Sequence, residues 1–140
     1  MSPKNQEKKF HKQYAGELMR IAEGDLESGF AIARAQNARL ENAFFMAQQA
    51  MEKSIKAVLV HLGIPVPLVH DLGTLLAKLP SSANPPYGYE LSELNQFAAI
   101  RRYEEGQFDL TKEEFASVAV KTREMLDWAN SQIKKPNSAK

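Results

Sequence analysis

The chain has 140 residues, with 18 Lys and Arg, 17 Asp and Glu, 44% apolar residues and no Cys. These figures fit one globular domain of ordinary soluble composition, large enough to form a core without disulfides or a metal. The absence of Cys excludes thiol catalysis, iron-sulfur clusters and thiolate zinc sites. The Lys-rich start has no apolar run and cannot be a secretory signal, so we expect a soluble, cytoplasmic protein without a membrane segment.

Positive charge is concentrated at the two ends of the chain. Residues 1–12 carry a net charge of +3 and residues 134–140 also carry +3, which leaves −5 for the residues between them. Nucleic-acid binders usually have a basic body, so we expect any contact with RNA to be weak or indirect. We interpret residues 1–12 and 134–140 as basic, flexible tails of one domain at residues 13–133.

Two long helices are predicted in the first half of the chain. Apolar residues at three- and four-residue steps predict a helix from Gln13 to about Gln36 and a second from Leu40 to Leu62. Gly63 supplies the left-handed residue that commonly ends a helix, and Pro65 and Pro67 prevent the helix from resuming.

Shorter elements follow. A helix of about two turns begins after His70 or Asp71, one of which is expected to cap it, and ends before Pro80. Residues 80–89 are rich in Pro, Ser, Asn and Gly and predict a loop. A further helix is predicted from about Leu91 to Tyr103.

The last helix begins at a capping box. Thr111 is followed three residues later by Glu114, and an apolar stripe then continues to Ile133. No stretch alternates with period two, so strands are not expected. The sequence therefore predicts an all-α fold, an antiparallel up-and-down bundle of four to five helices.

Four segments resemble the HEPN domain over about residues 14–133. They are the block Ala-Gln-Gln-Ala-x-Glu-Lys-x-x-Lys-Ala at residues 47–57, Gly63, His-Asp-Leu at residues 70–72, and Arg-Tyr at residues 102–103. The resemblance implies a helical bundle that commonly forms homodimers and is often encoded with a minimal nucleotidyltransferase, in pairs that include toxin-antitoxin systems. Some HEPN proteins are metal-independent ribonucleases, and nucleotide binding has been proposed for others.

The ribonuclease branch of this family is marked by an Arg followed after four to six residues by a His. The pair suits the chemistry, because His exchanges a proton near neutral pH and Arg stabilises charge developing on phosphate. No His follows Arg101 or Arg102 within that range, and Glu104 and Glu105 would repel a phosphate backbone. The sequence therefore favours a protein that is not a ribonuclease.

The second helix carries a polar ridge beside its core face. Gln48, Glu52 and Lys56 are spaced i, i+4 and i+8. The ridge is either solvated, with an ion pair between Glu52 and Lys56, or it borders a groove and supplies donors to a phosphate or a partner. His70 and Asp71 have two similar interpretations, as helix-capping residues or as part of a ligand cleft.

Arg101, Arg102 and Tyr103 are the other candidate ligand-binding residues. The apolar stripe of their helix points Arg101 inward, whereas the resemblance singles out Arg102 and Tyr103. Arg suits bidentate contact with phosphate, and Tyr can stack on a base. Salt bridges with neighbouring carboxylates are the alternative.

Three more residues need an explanation. Asp25 lies within the apolar stripe of the first helix and needs a partner, for which Arg102 and Lys56 are candidates. His61 is expected to be a packed, hydrogen-bonded imidazole. Trp128 suits a dimer surface or edge packing equally. No spacing of ligands suggests a metal site, and we expect no cofactor.

The leading hypothesis is a non-catalytic, HEPN-like homodimer that binds a nucleotide, a minimal nucleotidyltransferase partner, or both, as in a toxin-antitoxin pair. The enzyme alternative is a divergent metal-independent ribonuclease in which His70 replaces the missing His. A third possibility is a purely structural interaction module, in which Arg102 and Tyr103 contribute nothing to binding.

Overall fold

The computed structural model describes residues 3–94 and 110–136. These residues form four α-helices and no strand, which confirms the predicted all-α helical bundle. The helices are α1 (Pro3–Arg34), α2 (Leu40–His61), α3 (Leu72–Ala77) and α4 (Lys112–Lys134). Two 3₁₀ helices, Ser81–Ala83 and Tyr89–Leu94, lie between α3 and α4.

Helix α1 begins ten residues before the predicted start at Gln13 and includes residues 3–12, which the charge pattern assigned to a tail. The reason is local. Pro3 suits a first helical turn, and the Lys, Gln and Glu residues that follow are good helix formers uninterrupted by Gly or Pro. An apolar stripe marks where a helix packs, so it does not mark where an exposed helical extension begins. The flexibility assigned to both tails stays a prediction.

Helix α2 has almost the predicted bounds, and its end follows from Gly63. This residue has a φ of +72°, a left-handed conformation that costs little without a Cβ. The turn lets the Ile64 N–H donate to the Leu59 carbonyl at 2.9 Å, which satisfies a carbonyl at the end of the helix.

Both predicted caps are present. The Asp71 carboxylate accepts a hydrogen bond from the Thr74 N–H at 2.9 Å at the start of α3. Thr111 and Glu114 form the reciprocal capping box of α4. Of the helix predicted from Leu91 to Tyr103, the described part belongs to the 3₁₀ helix Tyr89–Leu94, and the remainder lies outside the described residues.

Helix α2 lies at the centre of the bundle, with 12 of its 22 residues buried. One side packs against α1 and the second half of α4, where Leu26 and Leu126 are 1% and 0% exposed. The other side packs against α3 and the first half of α4, with Leu72 and Leu75 fully buried. Each buried leucine contributes about 1.5–3 kcal/mol of transfer free energy, and both clusters of buried residues include residues of α2.

Aromatic contacts fix the directions of the three long helices. The Phe115 ring at the start of α4 lies 5.8 Å from the rings of Phe30, near the end of α1, and Phe44, near the start of α2. Helices α2 and α4 are therefore parallel to each other and antiparallel to α1. Consistently, the end of α2 meets the end of α4, where the His61 Nε2 lies 3.0 Å from the Lys135 carbonyl oxygen.

Trp128 packs within the chain. Its indole is partly buried, and its Nε1–H donates to the Ala83 carbonyl at 2.7 Å, which joins α4 to the 3₁₀ helix Ser81–Ala83. Of the two interpretations of this residue, edge packing matches the observed contact.

None of the helices in the described ranges is both long and apolar enough to cross a membrane.

Candidate functional site

The candidate site is built around the carboxylate of Glu52, in the middle of α2. The Glu52 side chain is only 4% exposed and has two partners. The Lys56 Nζ lies 2.9 Å from its Oε2, and the His70 Nδ1 lies 3.1 Å from Oε1 and 3.2 Å from Oε2. We call these three residues the Glu52 cluster.

The helix spacing positions Lys56, and the chain turn after α2 positions His70. Lys56 follows Glu52 by four residues and so lies one turn further along the same face of α2. His70 is 18 residues away in sequence, and the turn at Gly63 brings it back to α2. Asp71 then caps α3, which fixes the backbone directly after His70.

The geometry favours one tautomer of the His70 ring. An ionised carboxylate only accepts hydrogen bonds, so the Nδ1 that faces Glu52 carries a hydrogen. The Nε2 on the far side of the ring is then an acceptor in the neutral imidazole and a donor in the charged form. Because the His70 side chain is 78% exposed, the cluster presents an oriented imidazole to solvent.

Burial makes the Glu52 carboxylate dependent on these partners. Removing a carboxylate from water costs several kcal/mol by order of magnitude, about what a nearby cation and additional hydrogen bonds return. The Lys56 side chain is 20% exposed, and its Nζ shares the Glu52 carboxylate with the exposed His70 ring. The arrangement therefore brings an ammonium group and an imidazole to one carboxylate, and the N–H donors that the carboxylate does not occupy can contact an anionic ligand.

Gln48 and Asp71 differ in how they relate to the cluster. Gln48 lies one turn before Glu52 on the same helix and is 5% exposed, so the first two residues of the predicted ridge are buried and not solvated. The Asp71 carboxylate accepts from both the N–H and the hydroxyl of Thr74. Its observed contacts are those of a helix cap.

Arg101, Arg102 and Tyr103 lie outside the described residues. Their contribution to the site, and the choice between Arg101 and Arg102 as the inward-facing residue, stay predictions.

The partner of Asp25 is Lys53, which corrects the sequence analysis. The Lys53 Nζ lies 2.6 Å from the Asp25 carboxylate, so the pair joins α1 to α2, whereas Lys56 pairs with Glu52. The error has a geometric cause. Lys53 is about 100° around the helix from Glu52, which directs it toward α1 instead of along the Glu52 face.

The third histidine, His61, is packed at the end of α2. The His61 imidazole is partly buried and hydrogen bonded to the Lys135 carbonyl. Within residues 3–94 and 110–136, no three His, Asp or Glu side chains are close enough to hold a metal ion.

The Glu52 carboxylate should contribute measurably to stability. We expect Glu52→Gln, which keeps the size of the side chain but removes its charge, to lower the free energy of unfolding by about 1–3 kcal/mol. The reason is that Lys56 loses its counter-charge and His70 loses a charged acceptor. Urea unfolding followed by circular dichroism measures the change.

Glu41→Gln is the matched control on the same helix. Glu41 pairs with the exposed Arg39 at 3.4 Å, a surface contact whose loss should cost less than about 0.5 kcal/mol. Equal losses in the two variants would contradict a structural role for the Glu52 carboxylate.

Comparison with known proteins adds one finding to this geometry. None of the curated proteins and none of the solved structures compared with the chain match it. A family model described as the HEPN domain matches residues 15–132, which includes all three residues of the Glu52 cluster and well over half of the sequence. The chain therefore belongs to the HEPN domain family.

Proposed function

We propose that this chain is a non-catalytic binding protein of the HEPN family and that it holds a nucleotide at the Glu52 cluster. The observation that carries the proposal is the buried carboxylate that orients His70 and Lys56 at one place on the surface. Family membership supports it, because nucleotide binding has been proposed for HEPN proteins.

The donors of the cluster match a phosphate group. Lys56 has three N–H donors, of which the Glu52 carboxylate occupies one, and the His70 Nε2 becomes a donor when the ring is charged. A phosphate would supply the negative charge that stabilises this form of the imidazole. The proposal extends to Arg101 or Arg102 as a bidentate phosphate ligand and to Tyr103 as a stacking surface for the base.

The sequence argues against catalysis at Arg101 and Arg102. The residues that follow them up to Phe108 include no His, so the motif of the ribonuclease branch is incomplete. The same stretch holds Glu104 and Glu105, whose charges oppose an RNA backbone.

Two further parts of the proposal rest on the family alone. HEPN domains often dimerise or pair with a minimal nucleotidyltransferase. We propose that this chain forms a homodimer and works with such a partner, in an arrangement similar to a toxin-antitoxin pair.

A panel of nucleoside mono-, di- and triphosphates tests the nucleotide proposal. We expect saturable binding of at least one of them by calorimetry, and we expect His70→Ala and Lys56→Met each to weaken it about tenfold. The reason is that each variant removes one charge-assisted contact to phosphate.

Lys53→Met is the matched control, since it removes a lysine of the same helix that pairs with Asp25 on the α1 side. Its affinity should equal that of the wild type. Absence of saturable binding across the panel, together with no partner in the experiment below, would overturn the proposal. Binding that Arg102→Ala and Tyr103→Ala leave unchanged would remove those residues from the site.

Purification of the tagged protein from its native host tests the partner proposal. We expect mass spectrometry to identify a nucleotidyltransferase in stoichiometric amount and light scattering to give the mass of a HEPN dimer or of its complex. A monomer that elutes without a partner would contradict both the homodimer and the nucleotidyltransferase partner.

One observation favours a second candidate, a divergent metal-independent ribonuclease. A buried carboxylate that fixes the His70 ring leaves Nε2 free to accept the proton of an attacking ribose 2′-hydroxyl, while the departing 5′-oxygen takes a proton from water. We expect this candidate to fail: purified protein should leave single-stranded RNA intact. RNA cleavage that His70→Ala abolishes and Lys53→Met retains would establish it in place of the binding proposal.

A further inference from the structure

A second candidate site lies where the start of α1 meets the ends of α2 and α4. A cleft of about 310 Å³ opens there between His11 and Lys12 on α1, His61 on α2, and Lys134 and Lys135 at the end of α4. Ile133 and Pro136 complete its lining. We call it the His11–His61 cleft. It shares no residue with the Glu52 cluster.

The fold creates this cleft from residues that are far apart in sequence. Because α1 is antiparallel to α4, residues 11–12 and 134–136, which belong to segments that look like separate tails in the sequence, lie at the same end of the bundle. The hydrogen bond between the His61 Nε2 and the Lys135 carbonyl joins two of the walls. The His11 Cε1 lies 4.0 Å from the position of a Cβ on Gly63, so α1 reaches the turn that ends α2.

The charge of the lining is one-sided. Two histidines and three lysines line the cleft, and its described lining includes no Asp or Glu. Glu7, one turn before His11 on α1, is exposed and is not part of the lining. The three lysines give this lining a formal charge of +3.

The helix dipoles offset only part of this positive charge. The C-terminal ends of α2 and α4 each present roughly −0.5 of an elementary charge, together about −1. Lysines in the last turn of α4 suit that field, and the last carbonyls of α2 already accept bonds from the N–H groups of residues 62–64. Lys12 does not belong to a helix C-terminus, and after the dipoles are balanced the cleft retains an excess of about two positive charges.

We propose that the His11–His61 cleft binds a compact phosphate-bearing anion, of the size of pyrophosphate or a phosphate monoester. The lysines supply donors and charge, and the His11 ring can add an N–H donor. The volume lies at the lower end of the range of roughly 300–1,000 Å³ for small-molecule sites, which favours a small ligand over a large one.

Isothermal titration of the full chain with pyrophosphate at low ionic strength tests the proposal. We expect saturable binding with one site per chain, weakened about tenfold by Lys12→Ala and more by Lys12→Ala combined with Lys134→Ala. Lys112→Ala is the matched control, because it removes an exposed lysine from the opposite end of α4, and it should bind as the wild type does.

Two comparisons make the result specific. Circular dichroism melting checks that each variant is folded. If the double variant does not fold, Lys12→Ala alone tests the proposal, because the Lys12 side chain is exposed and its loss should not affect folding. Binding at the cleft is measured through Lys12→Ala, and nucleotide binding at the Glu52 cluster through His70→Ala and Lys56→Met, so failure of this proposal and failure of nucleotide binding at the Glu52 cluster are separate outcomes.

A competition experiment identifies the source of the phosphate. One competitor is a short oligoribonucleotide with a 5′-phosphate, and its control is the same oligoribonucleotide with a 5′-hydroxyl. If only the phosphorylated form displaces pyrophosphate, the ligand of the cleft is the 5′-phosphate at the end of an RNA strand. Displacement by a phosphate monoester alone assigns it to a small metabolite. No saturable pyrophosphate binding, or equal affinity in wild type and in Lys12→Ala, would overturn the proposal.

Discussion

The burial of α2 is the constraint on which the rest of the structure depends. This helix packs on α1, α3 and α4, so polar side chains along it are removed from water together with the apolar ones. Each must find a partner inside the protein. The Ser54 hydroxyl donates to the Met51 carbonyl of its own helix, at 2.7 Å, and the Glu52 carboxylate takes Lys56 and His70. On an outer helix, the same Glu-Lys spacing would give a solvated pair worth a few tenths of a kcal/mol by order of magnitude.

This requirement couples the loop after α2 to the helix core. His70 is the contact between that loop and the Glu52 carboxylate, and Gly63 and Asp71 define the chain path on either side of it. The exposed imidazole is therefore held in place by a buried group. A held imidazole loses less conformational entropy on binding than a free one does, which is why the cluster is a better candidate site than the ridge alone.

The sequence predicted those features that depend on local interactions. The bounds of α2, the caps at Asp71 and Thr111 and the all-α class follow from periodicity and from side chains within four residues of each other. The start of α1 did not follow from periodicity, since an exposed helical segment needs only good helix formers and leaves no apolar stripe.

Contacts between distant segments were harder to predict, for a physical reason. The Asp25–Lys53 pair spans 28 residues, and its identity depends on how far each helix is rotated about its own axis. An apolar stripe is about 100° wide or more, so it leaves that rotation uncertain by more than the angle of about 60° around the helix that separates Lys53 from Lys56. Likewise, His70 and Glu52 were each identified as candidates, but their contact follows from the loop path. Arg101, Arg102 and Tyr103 lie outside the described residues and stay predictions.

The distribution of charge connects the fold with both proposed sites. A net charge of +1 says little about partners, and the tails at +3 each look like independent solvated ends. The fold changes this, because the start of α1 and the end of α4 lie at the same end of the bundle and their lysines share one cleft. The midpoint of α2, where Glu52 neutralises Lys56, lies about 14 Å along the helix axis from His61, given 1.5 Å per residue. Of the two proposed sites, the His11–His61 cleft has three lysines and no Asp or Glu in its described lining. Like charges held together raise the free energy of the folded chain, and an anion bound between them would lower it.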